Sequence, residues 1–279
     1  MPALIRYHGG KVRMAPTIID LFPEHERYCE PFGGGGAVLL AKPRSRIEVY
    51  NDLDGDIVNL FRVVRDHPLA LARAVTFTPF SREEFALCYE ITDQPIERAR
   101  RTLIRSGMGQ GTVGTCWTSG FRGVGAKAKD GGVPKDAGRI PAEIWRDIPT
   151  EILRVADRLL GVVIESRDAK EILLEHDSDE TLHYIDPPYL HDTRGKWRYR
   201  VDMTDADHHD LLDVVRGLRG SVVLSGYPSP IYDTALADWR RIELAATGDR
   251  QTKRREVLWC NFDDVTPLFA ARPAALAAT

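Results

Sequence analysis

Asp186-Pro187-Pro188-Tyr189 places in a row four residues that chemistry uses together. The apolar run ending in Tyr184-Ile185 predicts a buried strand, and it stops on a carboxylate. Two prolines then remove the backbone donors a sheet ladder needs, which leaves carbonyl oxygens free to accept. A carboxylate, a free carbonyl and an aromatic face form a receptor for a planar ring bearing an amino group. The plainer alternative is a proline-terminated strand with Asp186 capping a turn.

A second group surrounds Cys29-Glu30-Pro31-Phe32 and the four glycines Gly33, Gly34, Gly35 and Gly36. Glycines between a strand and an apolar helix start allow a tight turn and let a ligand approach the main chain. Val38 stands where a dinucleotide fingerprint needs its third glycine, and no Lys-Ser/Thr follows, so neither that fingerprint nor a Walker loop applies. Asp52 ends the next predicted strand, 16 residues beyond Gly36. Carboxylates at that point hydrogen-bond ribose hydroxyls in nucleoside-binding sheets. A helix cap is the alternative, but Asp54 or Gly55 can cap as well, leaving Asp52 for a ligand. Glycine loop and acid together point to an adenosine-containing cofactor.

Positioning such groups requires strands ending at one edge. Strand-like runs occur at residues 27–32, 46–52, 162–168, 182–188, 221–227, 239–244 and 256–262, with helical patterns between most of them. Ile57, Leu60, Phe61 and Val64 form a helical core stripe. Thr204 and Asp207 form a capping box before the inward stripe Leu211, Leu212, Val215 and Leu218. Strand alternating with helix predicts an α/β fold, a mostly parallel sheet with helices on both faces. Residues 62–150 interrupt the rhythm with helices opened at Ser81 and Pro95, then ten glycines between Gly107 and Gly138. A connection this long is a functional insertion or disorder. The last residues, "RPAALAAT", read as a tail with little to bury.

At 279 residues the chain suits one large domain, or a domain with an insertion. A net charge of −3 argues against non-specific coating of nucleic acid, yet Arg98–Arg139 holds nine Lys/Arg against two Asp. No apolar run reaches the ~18 residues of a membrane span. The N-terminus has no signal-peptide core, so a cytoplasmic protein is expected. Scattered Cys29, Cys88, Cys116 and Cys260, and the adjacent His208-His209, fit no metal spacing, so no metal is expected. His208 and His209 read as surface or packing residues of a capped helix rather than an acid–base pair.

Taken together, "YHGGK" (7–11), "EPFGGGGAV", "NDLDGDIVNLF", "DPPY", "LSGYPSPIYD" and "REVLWCNF" resemble the Dam-type DNA adenine-N6 methyltransferases, especially phage-like members. The series covers nearly the whole chain in the family's order. The resemblance implies a Rossmann-like methyltransferase fold, with residues 1–61 and 151–279 catalytic and 62–150 an inserted, mainly helical target-recognition domain. It implies S-adenosylmethionine as cofactor and double-stranded DNA as partner, with the enzyme a monomer or weak dimer. Tyr7 and Lys11 match an N-terminal cofactor-contacting pair, although the family often has Trp at the position of Tyr7. Pro31 and Phe32 to Gly36 match the loop under the methionine part, Asp52 the ribose ligand, and Asp168 an acidic partner of the cofactor's adenine. Asp186 matches the carboxylate near the methionine amino group and target base.

On that reading Asp186, Pro187, Pro188 and Tyr189 are the catalytic residues: Asp186 and the Pro187 carbonyl accept from adenine N6–H, the prolines keep carbonyls free of sheet pairing, and Tyr189 stacks on the extruded base. Arg98, Arg100, Arg101 and Arg105 on a predicted helix suit phosphates. Trp117, Phe121, Arg122 and Lys127 lie in the glycine-rich loop, and Lys196 and Arg198 in "TRGKWRYR" (193–200), as further DNA contacts. Two alternatives stay open: an amino-methyltransferase of RNA adenine, cytosine N4 or a protein amide, and a non-catalytic DNA-binding protein that retains a cofactor pocket.

Overall fold

The computed structural model describes residues 4–115, 118–123, 140–193, 199–244 and 255–263. All seven predicted strands form: β1 (Arg27–Glu30), β2 (Ile47–Asn51), β3 (Val162–Glu165), β4 (Thr181–Ile185), β5 (Ser221–Gly226), β6 (Arg240–Leu244) and β7 (Glu256–Cys260). They build one sheet in the order β3-β2-β1-β4-β5-β7-β6. The first five are mutually parallel, and β7 runs antiparallel to both β5 and β6. This is a Rossmann-like arrangement. Strand order reverses between β1 and β4, so a crevice opens beyond their carboxyl ends.

The helices are α1 (Ala15–Ile19), α2 (Ala37–Ala41), α3 (Gly55–Asp66), α4 (Pro68–Thr76), α5 (Arg82–Leu87), α6 (Pro95–Met108), α7 (Pro141–Leu159), α8 (Ala169–Glu175), α9 (Asp205–Arg216) and α10 (Pro230–Ala235). Successive strand residues point to opposite faces, and the two cores divide accordingly. Tyr28, Tyr50, Leu182, Tyr184, Val223 and Leu258 join α1 to α4, α6 and α7 in one core. Ile185, Val222, Leu224, Val257 and Trp259 join α8, α9 and α10 in the other. Burial on both faces explains why β4, β5 and β7 read as apolar runs rather than alternations.

The local helix signals hold. Ile57, Leu60, Phe61 and Val64 are buried on α3, and Asp54 caps it by accepting from Asp56 N–H. Thr204 and Asp207 form their capping box at the start of α9. The expected domain limits at 62 and 150 fall inside α3 and α7. Leu71, Leu103, Trp145 and Val155, from between and beside those limits, share the core of Tyr28 and Tyr184. The glycine-rich loop leans on the sheet domain too: Val113 bridges Tyr7, and Thr115 bridges Tyr199. Among the described residues, no helix is long and apolar enough to cross a membrane.

Candidate functional site

A cleft of about 210 Å3 lies at the strand-order reversal. Its walls bring together Tyr7, Lys11, Pro31, Phe32, Gly33, Gly34, Gly35, Asp52, Asp168, Asp186 and Pro188, residues drawn from five separate stretches of the chain. Buried Asn51 stitches its rim. The side-chain amide donates to the carbonyls of Pro31 and Arg167, and its oxygen accepts from Arg167 N–H, tying the β1 and β3 loops together. Asp168, exposed, then caps α8 by accepting from Lys170 N–H.

The glycine loop is shaped by two constraints. A Cβ on Gly33 would stand 2.1 Å from the Tyr50 ring, so the loop lies flat on that ring only without a side chain. Gly36 caps α2 with φ +62°, the left-handed region that glycine enters freely. Asp52 is not idle. Its Oδ2 accepts from Gly34 N–H at 2.7 Å and its Oδ1 from Asp54 N–H at 2.7 Å. Burial pushes its carboxyl up to about 6, against the pull of those bonds. Gly36 offers no side chain to α2, and Glu30 at the end of β1 fills that role by accepting from Leu39 N–H at 3.0 Å. Glu30 also accepts from the Tyr28 hydroxyl, and burial pushes its carboxyl up to about 8.

Asp186 meets Lys11, whose ammonium donates to Oδ1 at 2.8 Å and Oδ2 at 2.7 Å. Burial raises the Asp186 carboxyl to about 6; Lys11 opposes the rise and the nearby charge of Glu256 adds to it. Burial disfavours charge on Lys11, but Asp186 and Glu256 outweigh it and raise the ammonium above its ordinary range. Tyr189 does not open onto the cleft. It is 7% exposed, with the Lys11 ammonium 4.8 Å from its ring centroid and Tyr227 edge-on against it. Its hydroxyl donates to Asp186 Oδ1 at 3.1 Å and to Glu256. Pro187 is buried and Pro188 half-buried.

The arginines expected to face phosphates are engaged within the chain. Arg98 and Arg105 converge on Asp56, at 2.6 and 2.7 Å, and Arg200 joins them. Burial opposes ionisation of Asp56, but the bonds from Arg200, Arg105 and Arg98 outweigh it and hold the carboxyl well below its ordinary range. Arg101 pairs with Glu97 at 2.6 Å, and Arg100 with Glu84 and Glu97. Phe121 packs between Phe80, Phe85 and the Arg82 guanidinium, and Arg122 N–H donates to the Met108 carbonyl. Trp117, Lys127, Lys196 and Arg198 lie outside the described residues. His208 is a packing residue, fully buried with Nδ1 2.7 Å from the Tyr232 hydroxyl.

Sequence reasoning assigned no role to Glu30, Asn51 or Glu256. Each is an acid or amide at the first or last position of its strand, which is a local signal. Among the described residues, no group of three or more His, Cys, Asp or Glu could hold a metal.

A glycine-lined, acid-rimmed cleft at the strand reversal of a Rossmann-like sheet is where such folds bind nucleotide cofactors. The chain belongs to the D12 class N6 adenine-specific DNA methyltransferases, whose family model matches residues 7–243. Membership implies a fold that binds S-adenosylmethionine. The chain is also 33% identical over 72 residues to the Type II methyltransferase M1.LlaDCHI of Lactococcus lactis subsp. cremoris, a match spanning 25% of each chain.

Proposed function

We propose that this protein transfers a methyl group from S-adenosylmethionine to N6 of an adenine extruded from double-stranded DNA, in the manner of Dam-type enzymes. The observation that carries this reading is the position of Asp186. At the carboxyl end of β4 it lines the same cleft as Gly33, Gly34, Asp52 and Asp168. A bound nucleoside and an incoming amino group would therefore meet at its carboxylate.

The residues fit the cofactor. Gly33 packs flat on the Tyr50 ring and so holds the glycine loop along the cleft wall, Asp52 and Asp168 offer carboxylates for ribose and adenine, and Glu30 and Asp186 favour a cation. When bound, S-adenosylmethionine supplies an electrophilic methyl: the N6–C bond forms as the S–C bond breaks with its electron pair going to sulfur.

Adenine N6 is a poor nucleophile because its lone pair is delocalised into the ring. Asp186, accepting from one N6–H, and the Pro187 carbonyl, accepting from the other, would localise that pair and aim it. Methylation leaves a positive charge on N6, and a proton must depart; the Asp186 carboxylate or water takes it. Tyr189 supplies a stacking face once Lys11 and Asp186 rearrange, offsetting the few kcal/mol that extrusion costs. Residues 62–150, with the segment 193–200, are proposed to carry DNA recognition.

The test is direct. Duplex DNA incubated with protein and cofactor, then digested to nucleosides, should contain N6-methyladenine by mass. Asp186→Ala should lower the rate by about a hundredfold or more while cofactor still binds. N4-methylcytosine as the product, or a full rate for the variant, would overturn the assignment.

A further inference from the structure

Glu256 is the residue this reading does not use. It opens β7 and is 6% exposed. Because β7 runs antiparallel to β5, its first residue lies at the sheet edge where the parallel strands end. There it accepts from the Tyr189 hydroxyl and, at 2.8 Å, from Ser225 Oγ, and its Oε1 lies 3.5 Å from Lys11 Nζ. The neighbouring Asp186 holds the same ammonium at 2.7 Å and the same tyrosine hydroxyl at 3.1 Å. A buried carboxylate, Glu256, and a half-buried one, Asp186, therefore share one lysine and one phenol.

That sharing bears on a difficulty in the proposed chemistry. In the structure, both oxygens of Asp186 are engaged by Lys11, and Tyr189 is covered by the same ammonium. An incoming amino group needs Asp186 and the ring face, so Lys11 must move without being left as an unpaired buried charge. Glu256 stands a short displacement away from it.

We propose that Glu256 is a positioning residue for methyl transfer: it anchors the Tyr189 hydroxyl and offers Lys11 a second carboxylate, releasing Asp186 to the target amino group. This rests on the reading of Asp186 given above. Burial alone would make Glu256 a structural buttress, so the two roles must be separated by what each perturbs.

The titratable groups that feel the charge of Asp186 are Tyr7 and Lys11 from the N-terminal segment, Glu30 from β1, Tyr184 from β4, Tyr189 beside it, Tyr232 from α10, and Glu256. The charge of Glu256 raises the Asp186 carboxyl, so Glu256→Gln should lower its midpoint below about 6. That shift is readable by carbon-13 NMR titration of the cofactor-free protein, without any turnover. In the wild-type background, kcat should fall about tenfold or more in Glu256→Gln, with cofactor affinity within about threefold, and Glu256→Asp should recover part of the rate.

Equal loss of melting temperature, cofactor affinity and kcat, or an unmoved Asp186 midpoint, would make Glu256 structural only and overturn the proposal. An unchanged kcat would overturn it too. Should Glu256→Gln fail to fold, Glu256→Asp draws the carboxylate back from Lys11 and Tyr189 while keeping its charge, and should lower kcat with cofactor affinity held; an unchanged kcat there is again fatal. If wild-type protein makes no N6-methyladenine, the activity reading fails, while the NMR titration still decides whether Glu256 acts on Asp186.

Discussion

Lys11 and Asp186, 175 positions apart in the chain, meet with the ammonium within 2.8 Å of both carboxylate oxygens. Lys11→Met would leave half-buried Asp186 and buried Glu256 without their cation. Breaking a buried pair in this way costs about 3–5 kcal/mol. Without Lys11, which holds the carboxyl down, the Asp186 midpoint should rise above about 6. Protonation then relieves the repulsion, so the deficit should be larger at high pH than at low pH. Chemical denaturation at several pH values measures both, and a pH-independent deficit would contradict the pairing.

Asp52 and Glu30 make opposite demands on the free and the bound protein. Their carboxyls stand at about 6 and about 8, both raised, so the folded state prefers their protonated forms. Their stabilising contribution is present below the ordinary carboxylate range and is lost as pH rises through about 6 and then about 8. A cationic cofactor prefers the ionised forms. Melting temperature of the free protein should therefore fall between about pH 4 and 8, while cofactor affinity rises over the same window. Scanning calorimetry and binding titrations at stepped pH measure the two trends. Glu30→Gln should flatten the upper half of each.

Strands β4, β5 and β7 were legible because double burial writes continuous apolar runs, and α3 and α9 because their caps and stripes are local. Other features depend on distance. Nothing near residue 256 says that β7 inserts between β5 and β6, so the arrival of Glu256 beside Asp186 could not be read. Helix α7 carries Pro149 in its interior, and proline reads as a breaker even where a helix runs through it. The glycine loop was legible as a glycine run after a strand, whereas its support by Asn51 and Glu30 arises from tertiary structure. The arginine-rich helix shows charge, but the partners of that charge lie elsewhere in the chain.

Gly33→Ala tests the loop itself. Its Cβ would collide with the Tyr50 ring, which is fully buried and bonded to the Gly34 carbonyl, so the ring has no room to yield. Overpacking of this kind costs about 1–3 kcal/mol. The larger effect should fall on cofactor affinity, since the loop must lift from its ring. Titration should show weakened binding while far-ultraviolet circular dichroism stays native. Unchanged affinity would exclude the loop from cofactor binding.

On the proposed reading, Asp56 sets the terms on which the arginines meet DNA. Arg98 from α6 and Arg200 beyond the Asp186 loop share its carboxylate, and both remain about two-fifths exposed. Arg105, beside them, is 16% exposed and more committed to Asp56. A phosphate arriving at this edge can draw on Arg98 and Arg200 while Asp56 keeps them preorganised. Arg98→Ala with Arg200→Ala should therefore weaken binding to all duplexes alike. The slope of log affinity against log salt should drop by about one for each phosphate that is no longer neutralised. Asp56→Asn should act differently: with its charge gone the arginines lose their anchor, and stability should fall through like-charge crowding. Binding titrations across a salt series separate the two variants, and a salt slope unchanged in the double arginine variant would remove this edge from the DNA interface.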